Sequence, residues 1–432
     1  MKAKEILVLI LIILTGVLIH HIHTGKIDMD WAWDEGFFFQ ENEFIFEESQ
    51  EIAHPYPSAF HIINSHGSIE ILGTQEQNIT LHLEKKIWRK DAEKASEIAE
   101  QLRLQTDTSN DRIVVTTNRE DFRRKNFRTN FKIEVPEDMD VEVKNGYGQV
   151  DVRIVRNANV FNSHGRVEAA GINGTLVIKN SHNDVNATGV QADCQIESSY
   201  STIRAGEIKG KTEISHKFGK VHLEEIGMKV TIDGDHTEVR AQNISGPIEI
   251  ESSYRKISLK DIGTAKILTK NSVVDIEKAK GDLNIVNDHG RIRLTDILGS
   301  LDISGESVAL SGEKITGSTI AVSSSYRDIE LSDFSADTRI DVDHGLVILK
   351  PLPLLYPLEV KGKYTDIRFH WPPGGEYPLE AKVKGGDIQW EVPFSPTHKD
   401  ENSTTVIRAF DTIMNQPRIL LTTEYATILI TQ

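Results

Sequence analysis

The sequence predicts an all-β chain wound as a single-stranded β-solenoid (β-helix) of about 18 residues per coil, on three observations. One motif recurs at a fixed interval, two apolar columns keep the same register, and helical periodicity is missing through the repeat. From His164 in Asn162-Ser163-His164-Gly165, the same position recurs at His182, Tyr200, Phe218, His236, Tyr254 and Ser272 in steps of 18. His289, Ser307, Tyr326 and His344 continue it with steps of 17, 18, 19 and 18. A fixed period of this size marks a solenoid, in which each repeat packs only on its neighbours.

The first column is Val167, Val185, Ile203, Val221, Val239, Ile257, Val274 and Ile292. The second, two residues on, runs Ala169, Ala187, Ala205, Leu223, Ala241, Leu259, Ile276 and Leu294. A spacing of two buries alternate side chains of a strand, and β-branched residues suit that half-buried surface. A third column, from Ile172 through Val190 to Ile262 and Ile297, closes each coil.

Residues 1–24 carry Lys2 and Lys4 before an apolar run from Ile6 to Ile19, which with Ile22 reaches the lower edge of a bilayer span. His20-His21-Ile22-His23 follows where a cleavage site would need small residues. That favours a single-pass signal-anchor through residues 6–22 over a removed signal that would leave a secreted protein. With the basic flank inside, the bulk of the chain is extracytoplasmic, on the outer side of the cell membrane. Residues 25–57, with Trp31, Trp33 and Glu41 to Glu48, read as an acidic, aromatic linker or an N-terminal cap.

Residues 58–140 form an N-terminal β region with an early copy of the motif at Asn64-Ser65-His66-Gly67. Within it, 91–104 reads as one inserted helix: Ala92, Ala95, Ile98, Ala99 and Leu102 share a face behind the N-cap Asp91. The solenoid proper spans 141–394. Bulky Phe369, Trp371 and Trp390 near its end suit a closing repeat. Residues 395–405 read as a polar loop, and 406–432 as a C-terminal rung or cap.

The strand with the Asn-Ser-His-Gly turn, the Lys/Glu-rich strand Ile79 to Lys86 and the Ala-rich helix stand in a definite order. The Phe-x-Ile-x-Val-Pro strand ending at Pro136 follows. This order resembles the bacterial putative-adhesin family of β-solenoids, a cell-envelope domain of unknown function. The resemblance covers roughly 58–350. It implies the solenoid fold and a bacterial envelope setting, and it brings no catalytic residues.

A net charge of −16 makes nucleic acid a poor partner. The single cysteine, Cys194, excludes an internal disulfide. The candidate surface is the turn ladder of His164, His182, Tyr200, His236, Tyr254, His289, Tyr326 and His344. In-register stacking would set these side chains about 4.8 Å apart. Structural stacking is the first reading. Ligand recognition is the second, with sugar rings lying on the aromatic faces. A metal, helped by Asp288, Asp341 and Asp343, is the third, although ligands must converge on a point and a ladder spreads them along a line.

No catalytic, metal or cofactor-binding residue is assigned. Acidic residues stand singly, as Glu168, Glu238 and Glu330 do, whereas glycan cleavage wants paired carboxylates. The basic run Arg119 to Lys132 reads as a solvated hairpin loop, and the Asn-x-Ser/Thr triplets as turn composition. The expected function is a binding, adhesion or scaffolding surface whose partner is an envelope glycan or another envelope protein. The alternatives are an envelope polysaccharide-processing enzyme and a regulatory partner of a membrane protein.

Overall fold

In the repeat, the chain alternates two short strands with three corners, because two alternate residues on each strand and one closing residue per coil need burial. The coil at Thr212–Ile226 illustrates it. Residues 212–217 form one strand (face A), Phe218 turns the backbone at φ 58°, and 219–224 form the second strand (face B). Glu225 turns it again at φ 56°, Ile226 plugs the interior at 1 % exposure, and residues 227–229 complete the circuit. This computed structural model describes residues 42–432 except 109–110, 123–125 and 402. The expected membrane segment and the residues up to 41 lie outside the described residues. Among the described residues, no helix is long and apolar enough to cross a membrane.

Coils stack in parallel and in register. Ile214 pairs with Ile232 and Ile232 with Ile250 on face A, while Val221 pairs with Val239 and Val239 with Ile257 on face B. The first predicted column, Val167 through Ile292, is 0 % exposed at every member. Each such side chain contributes roughly 1.5–3 kcal/mol of burial. Ala279 fills the irregular place between Ile262 and Ile297 in the third column. Cys194 is a core residue of face A, and burial pushes its thiol up to about 12.

The slips in period differ from the expectation. Ile244 pairs with Ile262 and Ile248 with Ala265, so one residue is lost between Ile262 and Ala265. The left-handed corner after Tyr254 is therefore Asn271, at φ 52°, and not Ser272. Likewise Ile297 pairs with Ile315 and Leu301 with Ile320, which puts the extra residue in the same third corner. That corner absorbs the length changes, whereas the spacing across the first left-handed corner stays constant through both slips.

At both ends the chain leaves sequence order. The coil at Ala59–Thr74 is stacked between strands Ile113–Thr117 and Phe127–Pro136 on one side and Asp140–Arg153 on the other. Strand Ile79–Arg89 then runs antiparallel to 127–136, and Asn42–Ile52 antiparallel to 79–89. Residues 42–52 are thus a capping strand. The helix spans Ala92–Gln101 with Asp91 accepting from the Lys94 amide at 2.9 Å, and it packs Ala95, Ile98 and Ala99 over Ile87 and Phe127 in a separate small core.

At the other end, Ile419–Glu424 lies between Leu358–His370 and Leu379–Lys384, and Thr427–Thr431 lies between 367–370 and Asp387–Glu391. The C-terminal rung is an interior coil. The expected polar loop at 395–405 is instead part of an antiparallel hairpin, Thr397–Glu401 with Thr404–Ala409, laid on strand 379–384. Trp371, Trp390, Phe394, Phe410 and Tyr377 cluster over this end of the core.

Candidate binding surfaces

The first corner of every coil needs a left-handed backbone, and the residue that supplies it changes along the rod. In the early coils the glycine of the motif does so, as Gly165 does at φ 142° after His164. Asn183 takes that role after His182 at φ 79°. From Tyr200 onward the ring residue is itself left-handed: Tyr200 at 54°, Phe218 at 58°, His236 at 51° and Tyr254 at 66°. Such a conformation costs a non-glycine residue about 1–2 kcal/mol, and ring stacking offsets it.

All eight ladder candidates stand at this corner. Five of them join one stack running His66, Tyr147, His164, His182, Tyr200, Phe218, His236 and Tyr254, with centroids 4.5–5.7 Å apart and planes within 24°. Tyr326 and His344 begin a second stack through Tyr364 to Tyr425, at 4.8–5.3 Å. That stack ends over Gly385, where a β-carbon would stand 2.9 Å from the Tyr425 ring. His289 occupies a left-handed corner at φ 60° between Asn271 and Ser307 and stacks on no ring. Inside a run, both faces of each ring are covered by its neighbours. Only ring edges and polar tips reach solvent, so a sugar cannot lie flat on each ring as expected. Among the described residues, no group of three His, Cys, Asp or Glu is placed to hold a metal.

Behind the corner lies an interior polar column that sequence reasoning passed over. Asn162 Nδ2 donates to the carbonyls of Gly148 and Gly165, and Asn180 Nδ2 to those of Gly165, His182 and Asn183. These amides close the turn carbonyls that no strand can reach. Further along, the column holds His216, 1 % exposed, between Ser201 Oγ at 3.1 Å and Thr237 Oγ1 at 3.0 Å. Burial holds its imidazole below the ordinary histidine range. The Ser201–His216 contact resembles a nucleophile and base, but it is sealed inside the coil and its third partner is a hydroxyl. It braces the turn.

A concavity lies on face B, an open groove of 1220 Å³ crossing successive coils from Asn186 to Lys314. Its floor includes the outward position Gly206, which carries no side chain. Its walls are outward columns at the coil repeat: Arg204, His222, Arg240, Ser258, Asp275 and Arg293 pair in that order from coil to coil. Ion pairs hold them, with Arg204 3.1 Å from Asp184, Arg240 2.8 Å from Glu238, and Asp275 bridged by Lys256 at 2.6 Å and Arg293 at 3.3 Å. Burial, then Arg240 and Arg204, push the half-buried His222 below its ordinary range. These residues went unremarked in the sequence because outward positions carry no common chemistry. The basic run is not a plain solvated loop either: the Arg119 guanidinium sits 4.2 Å over the Phe127 ring, although residues 123–125 lie outside the described residues.

Fold and surfaces together define an all-β solenoid repeat protein. No protein-family model and no curated protein matches the chain. Among solved structures, the chain is similar to that of a putative cell adhesion protein from Clostridium sporogenes, with 8 % identity over 90 % of this chain and 100 % of that one. The TM-score is 0.16, and the likeness carries no argument about this chain.

Proposed function

We propose that the chain is a non-catalytic binding rod of the bacterial cell envelope that grips a linear glycan along the groove of face B. The observation that carries this reading is the groove itself: donors and acceptors in parallel columns, repeating about every 4.8 Å across several coils. That spacing is close to the advance of one sugar along an extended glycan. Paired ions such as Arg240–Glu238 offer a donor and an acceptor side by side, as hydroxyl groups require. The envelope setting is supported by the family resemblance of residues 58–350 and by the apolar run 6–22 behind a basic flank.

The test is an array of envelope polysaccharides probed with the full-length protein and with Arg240→Ala. Retention of one polymer class, lost at least tenfold in the variant, is the expected result. Failure to retain any polymer overturns the reading. Progressive shortening of a bound polymer would replace it with the polysaccharide-processing enzyme.

A further inference from the structure

The ring ladder is broken for three coils, and the break leaves ring faces open. Tyr254 stacks only on His236 at 4.9 Å, and Tyr326 only on His344 at 4.9 Å. Their other faces look along the rod toward each other past Asn271, His289 and Ser307, the three corners without a stacked ring. All three hold the same left-handed backbone as the ring residues, at φ 52°, 60° and 61°, so their side chains start from equivalent positions.

The spacing follows from the strand ladder. His289 and Tyr326 stand two coils apart, about 9.6 Å at the rung repeat. Between them Ser307 reaches out only as far as its Oγ. A slot therefore opens where every stacked coil carries a ring, with the free face of Tyr326 on one side and the His289 corner on the other. Exposed Glu306 and Arg327 flank it on the chain, one an acceptor and one a donor. The Asn271 position is a narrower version of the same slot, since its amide fills more of it.

We propose that the slot at Ser307 clamps one pyranose ring, terminal or pendant on a glycan, between the Tyr326 and His289 rings. The Tyr326 ring normal runs along the rod, as its stacking on His344 sets it, so a sugar lying on its free face has its glycosidic bonds pointing across the rod. A branch or chain end fits this direction and a polymer lying along the rod does not, which separates this site from the groove. Apolar sugar faces suit the two rings, and hydroxyl groups suit the ionic rim. A nucleotide ring would bring phosphate to a chain of net charge −16. The ligand class rests on the glycan reading above, while the site stands on the ladder's geometry.

The experiment is saturation-transfer NMR of the full-length protein with methyl β-glucoside, methyl β-galactoside, methyl α-mannoside and methyl β-N-acetylglucosaminide. At least one should show transfer in the wild type. Ser307→Tyr, which completes the ladder, should abolish it while leaving the melting temperature equal or higher. Tyr326→Ala should reduce it at least fivefold, and Tyr200→Ala, inside a closed run, should leave it unchanged. Transfer that survives Ser307→Tyr overturns the site, as does the absence of transfer from all four sugars. Polymer retention measured on the same variants keeps the two readings apart. If Arg240→Ala loses polymer while Ser307→Tyr changes nothing, the slot falls and the groove stands; if neither loses its ligand, both fall.

Discussion

A β-carbon on Gly219 would stand 2.0 Å from the Ser201 carbonyl oxygen of the coil before and 2.9 Å from Cε1 of His216 in its own coil. The two positions, 216 and 219, stand three residues apart across the first corner and share one small space, and in several other coils one of the pair is likewise glycine. Next along, Gly234 faces Thr237 at 3.1 Å, then Gly305 faces Val308 at 3.0 Å, Gly362 faces Thr365 at 2.9 Å and Gly386 faces Val383 at 2.8 Å. Asn162 with Gly165 obeys the same rule. Either partner can fill the turn, because close packing asks for a volume and not for a particular residue.

Those distances rank two variants. Gly219→Thr drives a β-carbon against the Ser201 carbonyl, which side-chain repacking cannot move, and costs at least about 1–3 kcal/mol. His216→Gly leaves a hole, while the Thr237 hydroxyl keeps its bonds to the His216 and Asp235 carbonyls. Adding His216→Gly to Gly219→Thr should therefore recover little of the loss in urea unfolding. Recovery of most of it by the double variant would refute this account.

Val239, 0 % exposed between Val221 and Ile257, gives the second prediction. Val239→Asp places an unpaired carboxylate between two rungs and costs several kcal/mol. Arg240→Asp, one residue on and facing solvent, should cost less than a third as much by the same measurement. Equal costs would break the inward and outward assignment of face B.

The stacked rings give the third. Tyr200 and Phe218 lie 5.2 Å apart at 9°, and a double-mutant cycle of their alanine variants should show a coupling of about 0.5–1.5 kcal/mol. Tyr200→Gly should destabilise less than Tyr200→Ala, because glycine is at ease in a left-handed corner. Zero coupling would reduce the ladder to coincidence of position.

The fourth concerns acid. His216 sits below its ordinary value of 6.5 because burial opposes its charge. Between the folded and unfolded values the unfolded chain binds more protons, so stability rises with pH there. His216 therefore leaves stability undiminished above the unfolded value and lowers it as pH falls toward the folded one. His61, His66 and His222 are shifted the same way, each chiefly by burial. Unfolding free energies at pH 7.5 and 5 should fall less for His216→Asn than for the wild type. A fall of equal size in both would remove His216 from the account.

The columns of the solenoid were legible because a buried strand tolerates only apolar residues on alternate positions, and eight coils repeat that constraint. The slip at Asn271 was not, since Asn271 and Ser272 are both small polar turn residues and only pairing across the third corner decides between them. Strand Thr397–Glu401 read as part of a polar loop because all its residues are polar or charged and show no apolar alternation. The ladder's membership was visible in the spacing of His and Tyr, but the coverage of its ring faces was not. Spacing gives positions, whereas stacking depends on how each ring turns out of its corner. The groove stayed hidden for a different reason: Arg204, His222, Arg240 and Asp275 share a column and no chemistry.

The placement of residues 419–431 between 358–370 and 379–391 has a bearing on synthesis. The chain makes coil 358–370 and strand 379–384 well before the segment that joins them exists. Until residues 419–431 emerge, 358–370 presents a bare row of amides and carbonyls. A bare edge of that kind recruits other strands. This end of the rod therefore closes only when residues 419–431 arrive, and their loss leaves an open, adhesive edge. Removal of residues 419–432 should expose 358–370 to amide exchange and promote end-to-end association, while the coils before residue 337 keep their protection.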